Sequence, residues 1–312
     1  MFNKIKLIIL SLACISQLTY ADLIVTGDCD VSNATLTSIH LSDLDIDNNS
    51  GGQVGNNLLQ NTPYNASECI GIFAGNDSDQ TANNIGEFGD GLLNGEDSIL
   101  TGYEFIDGMV GGLAGGYDGE PLNIDGLGAA TDPGWINLAK FDVDDNEITY
   151  SNVTSFDQTK TLNISDVLKL TFSCDNSGGE CSAINWTLTT DIDIAETVRE
   201  VIDRATFDHL AFVAKAGSGK GKGNQDDKGW AIYDFNFYEI FNNEAPGLFD
   251  FETAYSLSGA INIKPGDFSA GLSHLTVWAR DPLGTPTIVS EPTTLAIFAF
   301  GIIGLGVRRF KK

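Results

Sequence analysis

Positive charge is scarce in this chain of 312 residues, and it is unevenly placed. Of 17 lysines and arginines, two lie within the first 21 residues and four within the last five, whereas all but one of the 43 acids fall between residues 22 and 290. That stretch therefore carries 42 acids against 11 bases, a net charge of −31. A surface of this sign repels phosphate backbones and anionic lipid, which excludes nucleic acid as a partner and keeps the body soluble. Histidine is nearly missing, with only His40, His209 and His274. No Gly-x-Ser-x-Gly elbow accompanies them, so a Ser/His/Asp triad lacks a supporting motif and structural histidines are the reading. Cys-x-x-Cys and His-rich spacings are absent too, and with them any zinc signature. Gly217-Ser218-Gly219-Lys220-Gly221-Lys222 invites a phosphate-loop reading, but Lys222 stands where the second glycine belongs. Asp43-Leu44-Asp45-Ile46-Asp47 starts like a calcium loop, yet Asn48 and Val54 replace the glycine and glutamate that an EF-hand requires, leaving a solvated acidic turn.

What the chain does have is two addressed ends. Lys4 and Lys6 precede the apolar Leu7–Leu12, and Thr19-Tyr20-Ala21 supplies a cleavage site, so residues 1–21 read as a signal peptide cut between Ala21 and Asp22. Cys14 lacks the leucine three residues earlier that a lipoprotein anchor would show. At the other end, Val289-Ser290-Glu291-Pro292 leads into an uncharged apolar run, Thr293–Val307, closed by Arg308-Arg309-Phe310-Lys311-Lys312. At ~1.5 Å per residue that run reaches across most of a ~30 Å hydrocarbon core as a transmembrane helix, and it has no polar face to present in a soluble core. The four bases pin the extreme C-terminus inside the cell and the rest outside.

Glu291-Pro292, the Thr-Thr-Leu-Ala that follows, the glycine-studded apolar helix and the Arg308-Arg309 cluster resemble the PEP-CTERM sorting signal of Gram-negative bacteria. The resemblance covers residues 289–312, with Ser290 in place of the family's first proline. It implies recognition and processing by a membrane-embedded exosortase and release of a protein associated with exopolysaccharide. It implies no activity. Cys69–Ser78 and Phe249–Arg280 also look like the front and the closing strands of PEP-CTERM cargo domains, which favours one exported domain over 22–281 with a linker at 282–290.

Four cysteines remain after the signal: Cys29, Cys69, Cys174 and Cys181. Their even number in an exported chain predicts two disulfides with three pairings open, and proximity favours Cys29–Cys69 and Cys174–Cys181. Parity places Cys181 opposite Ile184 and Trp186, so a bulge or twist is expected beside it. Short alternating strands dominate: Thr35–Leu41, Trp135–Val143, Glu147–Val153, the Leu168-Leu170-Phe172 and Ile184-Trp186-Leu188 runs, Phe207–Lys215, Gly229–Phe241, Phe249–Leu257, Ser258–Lys264 and Ser273–Arg280. Ala195, Val198, Val201 and Ile202 recur at helical spacing and predict one short helix over 195–204. Residues 69–134 are rich in Gly, Asn and Asp and read as long loops, with a strand at Ile99–Ile106. The expected fold is all-β, a single jelly-roll or lectin-like β-sandwich followed by the C-terminal transmembrane helix.

Two ligand leads emerge. Asp142, Asp144, Asp145, Asn146 and Glu147 offer hard oxygens in a tight turn that suit calcium, while the same residues make a plain acidic hairpin turn. Trp135, Trp186, Trp230 and Trp278, with Tyr233, Phe235 and Phe237, are either sugar-stacking platforms or core, and strand alternation favours core. The functional expectation is a non-enzymatic exported protein of the cell surface or extracellular matrix. A secreted glycosidase-like enzyme using two carboxylates and an uncleaved membrane-anchored surface protein are the alternatives.

Overall fold

The computed structural model describes residues 29–75, 77, 84–85, 88–89, 91–94, 100, 105, 134–155, 159–175, 181–202, 207–217, 229–244, 249–262 and 271–280. A 3-10 turn, Val31–Asn33, leads into β1 (Ala34–Ser42), followed by β2 (Gln53–Val54), β3 (Tyr64–Asn65) and β4 (Glu68–Ala74). The two-residue strands β5 (Asn84–Ile85) and β6 (Phe88–Gly89) come next, then the hairpin of β7 (Trp135–Asp142) and β8 (Glu147–Tyr150). β9 (Asn152–Thr154) pairs with β10 (Thr161–Asn163), and β11 (Leu168–Asp175) with β12 (Ala183–Thr190). Helix α1 (Ile194–Ile202) precedes β13 (His209–Ala216) and β14 (Gly229–Asn236). Helix α2 (Phe237–Glu244), β15 (Tyr255–Asn262) and β16 (Leu272–Arg280) complete the described chain.

The protein is all-β in class, as the alternation predicts. One sheet runs β11-β12-β15-β1, with β2 and β3 both pairing to β1; the other runs β4-β14-β13-β16-β7-β8. A small third sheet orders β10-β9-β5-β6. Both large sheets are antiparallel throughout. Their apolar faces meet in one core: Trp186 of β12 lies 4.8 Å from Phe212 of β13, and Phe172 of β11 stacks on Phe141 of β7 at 4.7 Å. Trp186 fits because its neighbour on β15 is Gly259. A Cβ there would stand 2.4 Å from the indole and 2.1 Å from the Thr35 carbonyl oxygen, so any side chain would force the two strands apart.

The two sheets differ in how they meet water. In β12, Ile184, Trp186 and Leu188 are buried while Asn185 is exposed, the single-sided burial that a period of two encodes. In β13 every residue is buried. Leu210, Phe212 and Ala214 enter the shared core, whereas Ala211 and Val213 join a second cluster with Phe73, Leu92, Leu93, Trp135, Trp230 and Trp278. The second sheet is thus covered on both faces at its centre, which its near-continuous apolar runs allow.

Several boundaries depart from expectation. The strand expected over Gly229–Phe241 ends at Asn236, whose Oδ1 accepts from the Tyr238 and Glu239 amides at 3.0 and 3.3 Å and caps α2. There are therefore two short helices among the described residues, and α1 spans 194–202 rather than 195–204. The strand expected from Phe249 starts only at Tyr255, because the Asp250 carboxylate accepts from the Glu252 amide and the Thr253 hydroxyl and folds the chain into a turn. β15 then runs unbroken to Asn262, joining what read as two strands. No helix among the described residues is long and apolar enough to cross a membrane, and the expected span 293–307 lies outside them. The expected strand at Ile99–Ile106 lies outside them as well, save Leu100 and Phe105.

Candidate functional site

Both disulfides form as proximity favoured. Cys29–Cys69 ties the residues before β1 to edge strand β4, and Cys174–Cys181 closes the β11–β12 hairpin. The expected bulge is not needed. The ladder runs in register from Leu168↔Thr190 to Asp175↔Ala183, and Cys181 sits beyond its end, where strand parity no longer applies. Two such bridges mark a body that matures in an oxidising environment. The signal-cleavage pair Ala21 and Asp22 and the sorting residues Glu291, Pro292, Arg308 and Arg309 lie outside the described residues.

The Asp142–Glu147 turn closes on itself. The Asp142 Oδ1 accepts from the Asp144 and Asp145 amides at 3.1 and 3.3 Å, and Asn146 takes a left-handed φ of 52°. Asp144, Asp145, Asn146 and Glu147 are exposed, and among the described residues no three His, Cys, Asp or Glu side chains converge as metal ligands. Asp43–Ser50 is likewise a local turn, in which Asn48 donates to Asp45 from both its amide and its side chain. All four tryptophans are buried, at 0–3 % exposure, so none offers a platform to a sugar ring.

His209 and His274 serve buried polar contacts on the doubly covered sheet. His209 and Asp234, neighbouring strands β13 and β14, meet at 2.8 Å. Beside them the Arg280 Nε donates to Asp208 at 2.8 Å, with Nη2 on the second carboxylate oxygen, a fork in which both side chains are enclosed. At the opposite end of the sheet His274 Nε2 lies 2.7 Å from Asp77, and the buried Lys215 ammonium donates to the Gly75 carbonyl at 2.6 Å. Ser273 Oγ is 3.2 Å from His274 Nδ1, completing a Ser-His-Asp order of contacts, but it also lies 3.4 Å from the Lys215 carbonyl as donor. These contacts tether residues 75 and 77 to β13 and β16. His40, on β1, faces none of these groups.

A feature with room for a ligand lies between the sheets. A cavity of about 130 Å³ is floored by Leu138, Leu210 and Ala279 of the second sheet and roofed by Leu188 and Leu257 of the first. Ile194, Ala195 and Val198 of α1 form one wall, and Phe237 and Phe241 of α2 another. Phe251 and Tyr255 close the third side. Of its lining residues only Asp250 and Glu252 are exposed, so its opening lies beside them. Phe241 organises the aromatic wall: it stacks on Phe249 at 4.3 Å and lies 5.3 Å from Phe251 and 5.5 Å from Phe237. Burial, with the charge of Asp250 beside it, raises the Tyr255 phenol.

Helix α2, which carries Phe237 and Phe241, is fastened at its far end. Glu244 accepts from the Asn61 amide at 3.2 Å, the Asn61 side chain at 3.1 Å, the Gln60 amide and the Tyr64 hydroxyl. Partial burial pushes the Glu244 carboxyl up, but these donors outweigh it and hold it below the usual carboxylate range. The Tyr64 phenol moves the other way, pushed up to about 12 by burial first and then by its bond to the Glu244 charge.

Sequence reasoning missed this cavity, since its walls come from eight separate segments. The one local signal was Asn236 followed three residues later by Glu239, a helix start that places Phe237 and Phe241 on the wall. No protein-family model, curated protein or solved structure matches the chain.

Proposed function

We propose that this protein is exported to the cell surface or extracellular matrix through a PEP-CTERM and exosortase route, and that it associates there with exopolysaccharide by binding, without catalysis. Its body on this reading is a jelly-roll or lectin-like sandwich, delivered with a C-terminal membrane helix that an exosortase-type protease removes. The disulfides and the net charge of −31 over residues 22–290 suit an exported, soluble body. The observation that carries the binding half is the outer face of the first sheet. Thr171, Ser173, Asn185 and Thr37 project from it exposed, with Thr187 and Ser258 half-buried between them. Thr187 and Ser258 bond each other at 3.2 Å, yet each of these two hydroxyls keeps further donor or acceptor capacity. A face of hydroxyls and an amide can exchange hydrogen bonds with sugar hydroxyls where stacking aromatics are lacking.

The test is binding of the mature protein to the producing cell's own exopolysaccharide, with calcium and again with EDTA. Saturable binding in both conditions is expected, weakened at least fivefold by the combined Thr171→Ala, Ser173→Ala and Asn185→Ala changes. No saturable binding would remove the polysaccharide half of the proposal. Binding abolished by EDTA would return attention to the Asp142–Glu147 turn.

A further inference from the structure

We propose that the inter-sheet cavity is a binding site for one small, flat, apolar molecule without negative charge, of about the size of a singly substituted benzene ring. The inference goes beyond the exported-matrix reading and is independent of it.

Size comes first. The cavity holds about 130 Å³, roughly tenfold the ~10–15 Å³ that one water needs, and close to the ~150 Å³ of an engineered apolar cavity that stays dry and takes up benzene. Shape and lining come next. The two sheet faces supply aliphatic side chains, Leu188 and Leu257 opposite Leu210 and Ala279, while Phe241 and Phe251 stand at the edge. An aliphatic slot edged by aromatic rings favours a planar ligand, whose faces meet the leucines and whose rim meets the rings.

The lining decides the chemical class: 15 of its 21 residues are apolar, and its polar groups use part of their bonding capacity within the protein. Thr190 Oγ1 donates to the Tyr255 carbonyl at 3.1 Å and accepts from the Tyr255 amide at 3.0 Å. The Tyr255 hydroxyl accepts from the Asp250 amide at 3.2 Å, and the Thr253 hydroxyl donates to the Asp250 carboxylate at 2.7 Å. His209 meets Asp234 through Nδ1. A pyranose entering this space would exchange its water bonds for a wall that is mostly side-chain carbon, a penalty that an apolar ring does not pay. The cavity therefore does not serve the polysaccharide. Charge finishes the selection: the opening is flanked by Asp250 and Glu252, of which Glu252 pairs with Arg199 at 3.2 Å, and the body around them is strongly acidic. Carboxylates and sulfonates are repelled at the entrance.

The experiment uses the mature protein with its disulfides intact and takes toluene as the probe, with benzoate and glucose as counterparts. Calorimetry should show one toluene site, benzoate at least tenfold weaker and no heat with glucose at the same concentration. Methyl NMR should place the toluene-induced shifts on Leu188, Leu257 and Ala279. Ala195→Phe, which fills the cavity from the half-exposed wall of α1, should weaken toluene at least tenfold. Should that variant not fold, the methyl shifts in the unaltered protein decide alone. Absence of saturable toluene uptake, or shifts lying away from these three residues, overturns the site. Benzoate binding as tightly as toluene overturns the charge selectivity. None of these outcomes touches the export proposal.

Discussion

Glu244 shows how one side chain can hold an element that no ladder holds. Helix α2 spans eight residues, too short to be stable by itself, and its C-terminal turn is bound to residues 60–64 through that carboxylate. The donors favour the ionised form, so the folded carboxyl titrates below its unfolded counterpart near 4.5. Its contribution is therefore complete above about pH 4.5 and disappears as pH falls through the lower folded value. Tyr64 works at the other limit. Its phenol is raised, so its contribution is complete below about pH 10 and is lost as pH rises towards 12. Glu244→Gln should reduce the acid-side dependence by the share of this one carboxylate while leaving the alkaline side of Tyr64 smaller but present, since burial is the first cause of that shift. Thermal melts of both proteins at intervals from pH 3 to about pH 12 check both sides. Parallel curves for the two over the acid range would show that the carboxylate does not fasten the helix.

At the scale of elements, the two disulfides close very different loops. Cys29–Cys69 spans 40 residues and includes β1, whereas Cys174–Cys181 spans seven within a hairpin whose strands are already paired in register. Loop-closure entropy assigns about 4 kcal/mol to the longer and about 2 kcal/mol to the shorter. Replacing Cys29 and Cys69 by alanine should thus lower the urea midpoint about 1.6 times as far as replacing Cys174 and Cys181; equal shifts would contradict the loop-length account. Both pairings were legible in the sequence because each joins cysteines adjacent in chain order. The hairpin of β7 and β8 was legible from Asp144-Asp145-Asn146, and α1 from its spacing of Ala195, Val198 and Ile202, since those signals are local. Helix α2 was not. Tyr233, Phe235 and Phe237 continue the alternation of β14, and only the Asn236 side chain, bonding the next turn's amides, ends the strand. Phe249 and Phe251 misled in the same way, since their alternation comes from a turn built on Asp250. The hydroxyl face and the cavity were illegible for a different reason. Both depend on register between distant strands, such as Thr187↔Ser258 and Leu188↔Leu257, which no local pattern encodes.

For the whole molecule, the described body explains stability and leaves destination to the two ends. An all-β body whose second sheet is buried on both faces at its centre carries its own core, with exposed hydroxyls on the outer face of the first sheet and a strongly acidic composition. The proposed route then makes a definite mass prediction. Protein recovered from outside the cell should begin at Asp22 and lack the basic residues Arg308, Arg309, Lys311 and Lys312, and should carry no free thiol towards iodoacetamide until reduced. Intact-mass spectrometry with and without reduction reads all three features at once. A mature form that retains the tail would favour the anchored surface protein over the released one, because Ser290 in place of the family's proline would then have spared the bond. A form that retains residues 1–21 would overturn export by this signal. Loss of the tail alone, with the disulfides intact, would tie release to cleavage rather than to unfolding, and would leave the hydroxyl face and the cavity as the parts of the protein still at work outside the cell.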